Sequence, residues 1–488
     1  MRNAECGIRK DLFSEGTIRE NLLETAMETD SATTDIKGLL AKQRDFFDSG
    51  QTKDIAFRKE ALEALYDILR ESEGKVLDAL GHDLSKSDYE GYMTEFGIIL
   101  EEIRYVKKQL SKWARPRRVR THLFQFPASS FIYPEPYGIS LIISPWNYPF
   151  QLVMGPLIGS ITAGNCSVVK PSEYTPHTAG AIGEIIGKHF DPEYIAVVEG
   201  DARVSSALLD EPFDYIFFTG SQAIGKAVMA AAARHLTPVT LELGGKSPCI
   251  VDRGVDLDRT ARRIVSGKFI NAGQTCIAPD YLLVHRSVKT GLTNRIQSHI
   301  RQFYGEDPQR SPDYPRIIND KHYKRLAEFL ATGNIISGGQ TDRQELYIAP
   351  TLLDDIGRDD PIMQDEIFGP LLPVIGYDDL SEAISQVRTL PRPLALYFFS
   401  NNRQCKERIL KEISFGGGCI NDTLLHFASP YLPFGGVGSS GIGSYHGKAS
   451  FDTFSHLKSI LKKPLGFDIP LRYPPFKNKL KFLKKLMH

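Results

Sequence analysis

"GISLIISPWNYPFQLVMGPLIGSITAG", residues 138–164, is the most apolar region of the chain, and how it is read, with the "NCSVVK" that follows, decides the fold. It is long enough to span a bilayer, but Pro145, Pro149, Pro156 and several glycines break it. It reads instead as a buried strand ("ISLIIS"), a turn, a buried helix ("PFQLVMGPLIGSITAG") and a second strand ("CSVVK"). The alternation continues with the helix "HTAGAIGEIIGKHF" and then "IAVVEG", "ARVSSALLD", "YIFFTG", "AIGKAVMAAAARH" and "PVTLELGG". Apolar, β-branched strands separated by amphipathic helices specify βαβ units, hence an α/β fold whose parallel sheet is covered on both faces. Five strands are expected, with ligands bound beyond their carboxyl ends.

On the amino-terminal side, Thr34 to Trp113 repeats apolar residues at three- and four-residue spacing, as helices do, and residues 1–30 are polar and loosely patterned. "RPRRVRTHLFQFPASSFIYPEPYG" breaks the helical period with prolines and alternation and reads as a hairpin or extended arm. On the carboxyl-terminal side, "CIVD", "LDRTARRIVSGKFINAG", "YLLVHR", "LPVIGY", "ALYFFS" and "NRQCKERILKEI" make a second α/β unit, from about Pro248 to Asp422. A ligand cleft is expected between the two units. The chain ends in "YPPFKNKLKFLKKLMH", a short basic amphipathic segment. It reads first as a solvated or subunit-packed tail, with a weak peripheral contact to an anionic membrane as the alternative.

Composition narrows the class. The 488 residues exceed one simple core, and 42% apolar with 24% charged residues is ordinary for a globular enzyme. Basic and acidic residues balance at 59 each, which argues against a nucleic-acid partner; the arginines of the arm are a local cluster in a neutral protein. Six cysteines do not make a disulfide framework at this length, so a reduced, cytoplasmic setting is expected. The amino terminus lacks the apolar core of a signal peptide.

Among the cysteines, Cys276 in "NAGQTCIAP" stands apart, set among small and carboxamide residues just after a helix. A buried thiol is usually packing, which suits Cys166, Cys249, Cys405 and Cys419. Glu242 in "LELGGKSP" ends the fifth strand, where burial would raise its pKa toward that of a general base; a strand-end glutamate facing solvent is the competing reading. Attack by Cys276 on a carbonyl would need a donor for the resulting oxyanion, and Asn147 in "SPWNYP" could supply it, although an asparagine there also suits a turn. "FFTGSQAIGKAV" carries Gly220, Ser221 and Gly225 between a strand and a helix, where free amides can meet a pyrophosphate. Lys170 and Glu173 in "VVKPSEYT" end a neighbouring strand and could hold ribose hydroxyls. No metal-ligand cluster is visible, and His426 is isolated.

Taken in order, "SPWNYP", "VVKPSE", "FTGS", "LELGGK", "GQTC", "EIFGP" and "LPFGGVGSSGIG" resemble the motif series of the aldehyde dehydrogenase superfamily. "YHGKASFDTFSH", the helical start near Thr34 and "RYPPF" are similar to the class 3, fatty and aromatic, members. The resemblance runs from Thr34 to the end of the chain. It implies NAD(P)+-dependent oxidation of medium- or long-chain aliphatic or aromatic aldehydes to acids, through a thiohemiacetal and thioester on Cys276. Glu242 would activate the hydrolytic water, and Asn147 with the Cys276 amide would form the oxyanion site. Trp146, Lys170, Glu173, Gly220, Ser221, Gly225, Glu366, Phe368 and Phe434 match cofactor-side positions, and no metal is implied. The charge of Glu173 favours NAD over a 2′-phosphorylated cofactor, while class 3 members often accept both, so NADP stays open. The implied division is a dinucleotide-binding domain (31–115 and 137–245), a catalytic domain (246–423), an oligomerisation arm (116–136 and 440–460) that usually makes a dimer, and a basic tail (461–488). Two other functions are set beside this one: a cofactor-independent esterase at the same Cys276 and Glu242, and a non-catalytic scaffold attached to membranes through the tail.

Overall fold

The computed structural model describes residues 36–468 and 470–487; Cys6 and the extension expected over residues 1–30 lie outside the described residues. Strands Val239–Glu242, Tyr215–Thr219, Ile139–Ile143, Cys166–Lys170 and Ile195–Val197 lie side by side in that order, all parallel. Their residues are almost all buried because helices cover both faces, which is why their sequences lack a polar alternation. These are the five strands expected. Gly441–Ile442 adds a sixth, antiparallel, against Leu241 and Glu242.

The decisive apolar region does fold as strand, turn, helix and strand. Helix Gln151–Ala163 is buried along all 13 residues, and its rise of about 20 Å falls short of a bilayer core. No helix among the described residues is long and apolar enough to cross a membrane. Helices Ile55–Glu71 and Gly97–Trp113 pack against it, and Glu73–Leu84 packs on Pro176–His189, so the amino-terminal helices close one face of the sheet. Asp54 starts the first of these by accepting from the Ala56 N–H, and Leu62, Leu65 and Leu69 form its buried stripe.

The second unit is a seven-stranded sheet in the order Asn334–Ser337, Thr351–Asp354, Leu371–Tyr377, Tyr281–His285, Pro248–Val251, Ala395–Phe399, Gly417–Ile420. All are parallel except Asn334–Ser337 at one edge. The proline-broken segment forms strands Arg117–Val119 and Ser129–Pro136, and Ser455–Lys462 pairs antiparallel with the latter over eight residues. Residues 440–460 therefore divide between two sheets: Gly441–Ile442 joins the first unit and Ser455 onward joins the arm.

Candidate active site

Cys276 is positioned by an unusual exit from helix Leu257–Phe269. Asn271, Ala272 and Gly273 are left-handed in succession, with φ of 50°, 49° and 74°. For Asn271 and Ala272 this costs on the order of 1–3 kcal/mol each and persists only where surrounding bonds over-determine it. Gly273 has no alternative: a Cβ there would stand 2.3 Å from the Gly369 carbonyl oxygen. The bonds that hold the segment are specific. The Asn271 N–H donates to Glu90 Oε1 (2.9 Å), and Asn271 Nδ2 donates to the Asn147 carbonyl (2.7 Å). Gln274 Nε2 donates to the carbonyls of Asn271 (3.1 Å) and Arg316 (2.9 Å), while its Oε1 accepts from the Ile318 N–H (3.0 Å). The carboxamides of "NAGQTC" thus serve the backbone, and the partly exposed thiol is the one reactive group the segment leaves over.

Burial pushes the Cys276 thiol up, and the negative charges of Glu366 and Glu242 push it further; the backbone amides of Cys276 and Ile277 act in the opposite sense. Asn147 is 2% exposed and follows strand Ile139–Ile143. Its Nδ2 donates to the Gln274 carbonyl (3.0 Å), which ties it to the cysteine loop and leaves its second amide hydrogen for another acceptor. Glu242 is 3% exposed, and among the described residues neither carboxylate oxygen has a partner. Burial alone raises its pKa well above the usual carboxylate range.

The first sheet gathers the residues expected on the cofactor side. Lys170 Nζ donates to Glu173 Oε2 (2.9 Å) at the end of its strand, the lysine buried and the glutamate one-third exposed. Ser221 caps helix Gln222–Ala233 by accepting from the Ile224 N–H, and Gly225 lies where a Cβ would press on Leu243 at 2.6 Å. At the same turn Thr219 Oγ1 is buried without a partner, and the Gly220 N–H donates to the Glu242 carbonyl (3.0 Å). An orphaned hydroxyl beside open helix amides fits an anionic cofactor group. From the second unit, Glu366 sits against Gly244, where a Cβ would lie 2.0 Å from its Oε2; burial and then Asp280 push its carboxyl up to about 8. Phe368 is left-handed (φ 50°) and meets Trp146 edge-on at 5.4 Å, and Trp146 in turn meets His322 at 5.0 Å. Phe434 is buried farther along, with its ring 4.9 Å from Phe427 and its backbone bridged to Tyr445.

A cavity of about 670 Å³ has Cys276 in its lining. Its walls are mainly apolar, with Ile98, Leu152, Ile277, Phe303, Leu424 and Phe427. One wall is helix Leu257–Phe269, which contributes Arg259, Arg262, Arg263 and Ser266 at three- and four-residue spacing.

Several residues on which the site rests carry no signal in the sequence. Lys86 Nζ donates to Glu95 Oε1 (2.5 Å) and to the Asn147 carbonyl (3.1 Å), both side chains fully buried. Glu95 Oε2 accepts from the Phe150 N–H (2.9 Å), and Tyr148 and Thr275 share a hydroxyl hydrogen at 2.6 Å. In "KSDYEGYMTEF" the charges look like a solvated helix face.

A family model described as "Aldehyde dehydrogenase family" matches residues 21–460, beginning earlier than the Thr34 start read from the motifs. A 4,4′-diaponeurosporen-aldehyde dehydrogenase of Staphylococcus aureus is 52% identical over 441 residues, covering 90% of this chain and 96% of the relative. The mouse aldehyde dehydrogenase named "dimeric NADP-preferring" is 44% identical, covering 91% and 98%. Among solved structures, the substrate-bound state of Staphylococcus aureus AldH superposes with a TM-score of 0.91 at 49% identity, covering 93% of this chain and all of that one. With matches of this extent laid over the motifs and the two-sheet architecture, the chain belongs to the aldehyde dehydrogenase family, enzymes that oxidise aldehydes with NAD(P)+.

Proposed function

We propose that Cys276 is the nucleophile, Glu242 the base for hydrolysis, and Asn147 with the Cys276 amide the oxyanion site. The observation that carries this reading is Glu242: a buried carboxylate with two oxygens unpartnered among the described residues, whose charge acts on the thiol in the cavity wall. Such a group is costly unless a reaction uses it. Proton loss from Cys276 lets sulfur add to the aldehyde carbon, and the oxygen of the thiohemiacetal receives the free Asn147 N–H. A bound nicotinamide would supply the hydride acceptor for oxidation of this adduct to a thioester. Glu242 then takes a proton from water as it attacks the thioester carbon; the C–S bond breaks, the acid leaves, and the sulfur regains a proton.

For the cofactor, Lys170 and Glu173 would hold the adenosine ribose, the turn of Gly220, Ser221 and Gly225 the pyrophosphate, and Glu366 the nicotinamide ribose. Trp146, Phe368 and Phe434 would border the ring. Glu173 opposes a 2′-phosphate and Lys170 beside it attracts one, which favours NAD with NADP accepted. The apolar cavity suits medium- and long-chain aliphatic or aromatic aldehydes. The Staphylococcus relative is named for a diaponeurosporen-aldehyde, which agrees with an apolar substrate. A homodimer formed through the arm accords with the relative named as dimeric. A cytoplasmic location suits the five free cysteines among the described residues. A weak membrane contact draws on helix Leu480–Met487, where Leu480 and Phe482 are exposed beside Lys481, Lys484 and Lys485.

The test is the initial rate with aldehydes of increasing chain length and with benzaldehyde, each with NAD+ and NADP+. Rates should rise along the aliphatic series. Cys276→Ala should abolish oxidation of every aldehyde while cofactor affinity stays within about twofold. Turnover retained by that variant refutes the nucleophile assignment.

A further inference from the structure

The loops that carry Asn147 and Cys276 belong to different units, yet both end on one buried cluster contributed by neither sheet. Lys86, Glu90 and Glu95 lie in the amino-terminal segment Lys86–Phe96, which begins as the one-turn helix Asp88–Gly91 and continues as a π turn, Tyr92–Phe96. Its bonds close five residues apart, and residues so spaced, Glu90 and Glu95, come toward one face where an α-helix would splay them. All three side chains are buried in a region where an ion is costly unless partnered.

Their partners are backbone groups of the two loops. Glu95 binds the Phe150 and Gln151 N–H groups (2.9 and 3.3 Å), the open amides that start helix Gln151–Ala163. Lys86 neutralises Glu95, holds the Asn147 carbonyl at 3.1 Å and lies 4.1 Å from the centre of the Tyr148 ring. Glu90 holds the Asn271 N–H at 2.9 Å, at the first of the three left-handed residues ahead of Cys276. One cluster therefore grips the carbonyl of the oxyanion-site residue, the next helix start and the strained approach to the nucleophile.

We infer that Lys86, Glu90 and Glu95 are positioning residues which set the distance between Asn147 and Cys276, with Glu90 holding the nucleophile loop in its strained form. None of them is in the cavity lining, so they act through the loops. The inference rests on the proposed roles of Asn147 and Cys276. A misplacement of about 1 Å at a reacting centre can cost on the order of 10²-fold in rate. The groups that face Glu90 are Lys86 and Glu95 from its own segment, Asp313 from the loop opposite, and the Tyr148 and Tyr304 hydroxyls. Burial dominates among them and pushes its carboxyl up to about 7, so the grip on Asn271 weakens as the pH falls through neutrality.

The experiment compares Glu90→Ala and Glu90→Gln in the full chain by three readouts: kcat, KM for NAD+, and the rate at which iodoacetamide alkylates Cys276 between pH 5.5 and 9. Alanine removes the acceptor, so kcat and alkylation should change at least about tenfold while KM for NAD+ stays within about twofold. Glutamine restores an acceptor oxygen, so kcat should return to within about threefold of the parent. The step near pH 7 in the alkylation profile should vanish, since the amide does not titrate. Parental kcat and alkylation in Glu90→Ala overturn the inference, as does an unaltered pH step in Glu90→Gln. If alanine prevents folding, the glutamine profile still decides. Alkylation needs no aldehyde turnover, so it separates failure of the clamp from failure of the proposed reaction.

Discussion

Glu242 shows at the scale of one residue how burial becomes chemistry. Its carboxyl is displaced upward by desolvation, with no ion pair or hydrogen bond to oppose it. The folded protein thus holds this proton more tightly than the unfolded chain does. Stability falls as pH rises from the ordinary carboxylate range toward the folded value, because the unfolded chain ionises there while the buried carboxyl keeps its proton. Deacylation has the opposite preference, since only the ionised form takes a proton from water. Glu242→Gln separates the two. A rapid burst of reduced cofactor, close to one per site, should precede a stall at the thioester, read by stopped-flow absorbance. The same variant should lose less stability than the parent between pH 5 and pH 8 in thermal melts. Steady turnover at the parental rate would remove Glu242 from the hydrolytic step.

At the scale of elements, two glycines divide the proposed site into a nucleophile side and a cofactor side. Gly273 ends the left-handed run under the Gly369 carbonyl, and Gly244 lets Glu366 approach the end of the Glu242 strand. Gly273→Ala combines a strained φ with a 2.3 Å contact against backbone, so the loop must move; Cys276 alkylation and kcat should fall at least about tenfold. Gly244→Ala would press on the flexible end of Glu366, so KM for NAD+ should rise several-fold, while alkylation without cofactor should shift by less than about threefold, through the moved Glu366 charge alone. Equal effects of both variants on alkylation would deny that division.

The elements differ in how far they can be read from residues. The βαβ alternation is legible because parallel strands are apolar throughout, and the cysteine loop is legible because "NAGQTC" spends glycine and carboxamides where packing alone needs neither. The π turn at Tyr92–Phe96 is not, because its period follows from what Glu95 must reach, a bond across 55 residues of chain. The split of residues 440–460 between two sheets is equally hidden. Gly441–Ile442 is too short for any period, and only its pairing with Glu242 places it.

At the scale of the whole molecule, the arm is the part that one chain leaves unfinished. Among the described residues, strand Ser455–Lys462 pairs with Ser129–Pro136 alone, at the edge of its three-stranded sheet. Long open edges of this kind invite pairing with another chain unless a protein covers or charges them. Leu457 and Leu461 are about half exposed and, four positions apart, lie on one face of the strand. Lys458 and Lys462 occupy the other face, where Lys458 is paired with Glu135. A second copy of the chain is the occupant in keeping with the dimer proposed above. The double variant Leu457→Glu, Leu461→Glu would place four carboxylates at a two-fold interface, a like-charge juxtaposition of several kcal/mol if desolvated. Sedimentation should then show a monomer where the parent is a dimer at the same concentration. Cys276 alkylation should stay near the parental rate, since strand Ser129–Pro136 of the arm leads into the amino end of Ile139–Ile143, opposite the carboxyl ends. A variant that sediments as the parent does would show that the dimer, if formed, uses another surface, and leave the Leu457–Leu461 face to some other contact.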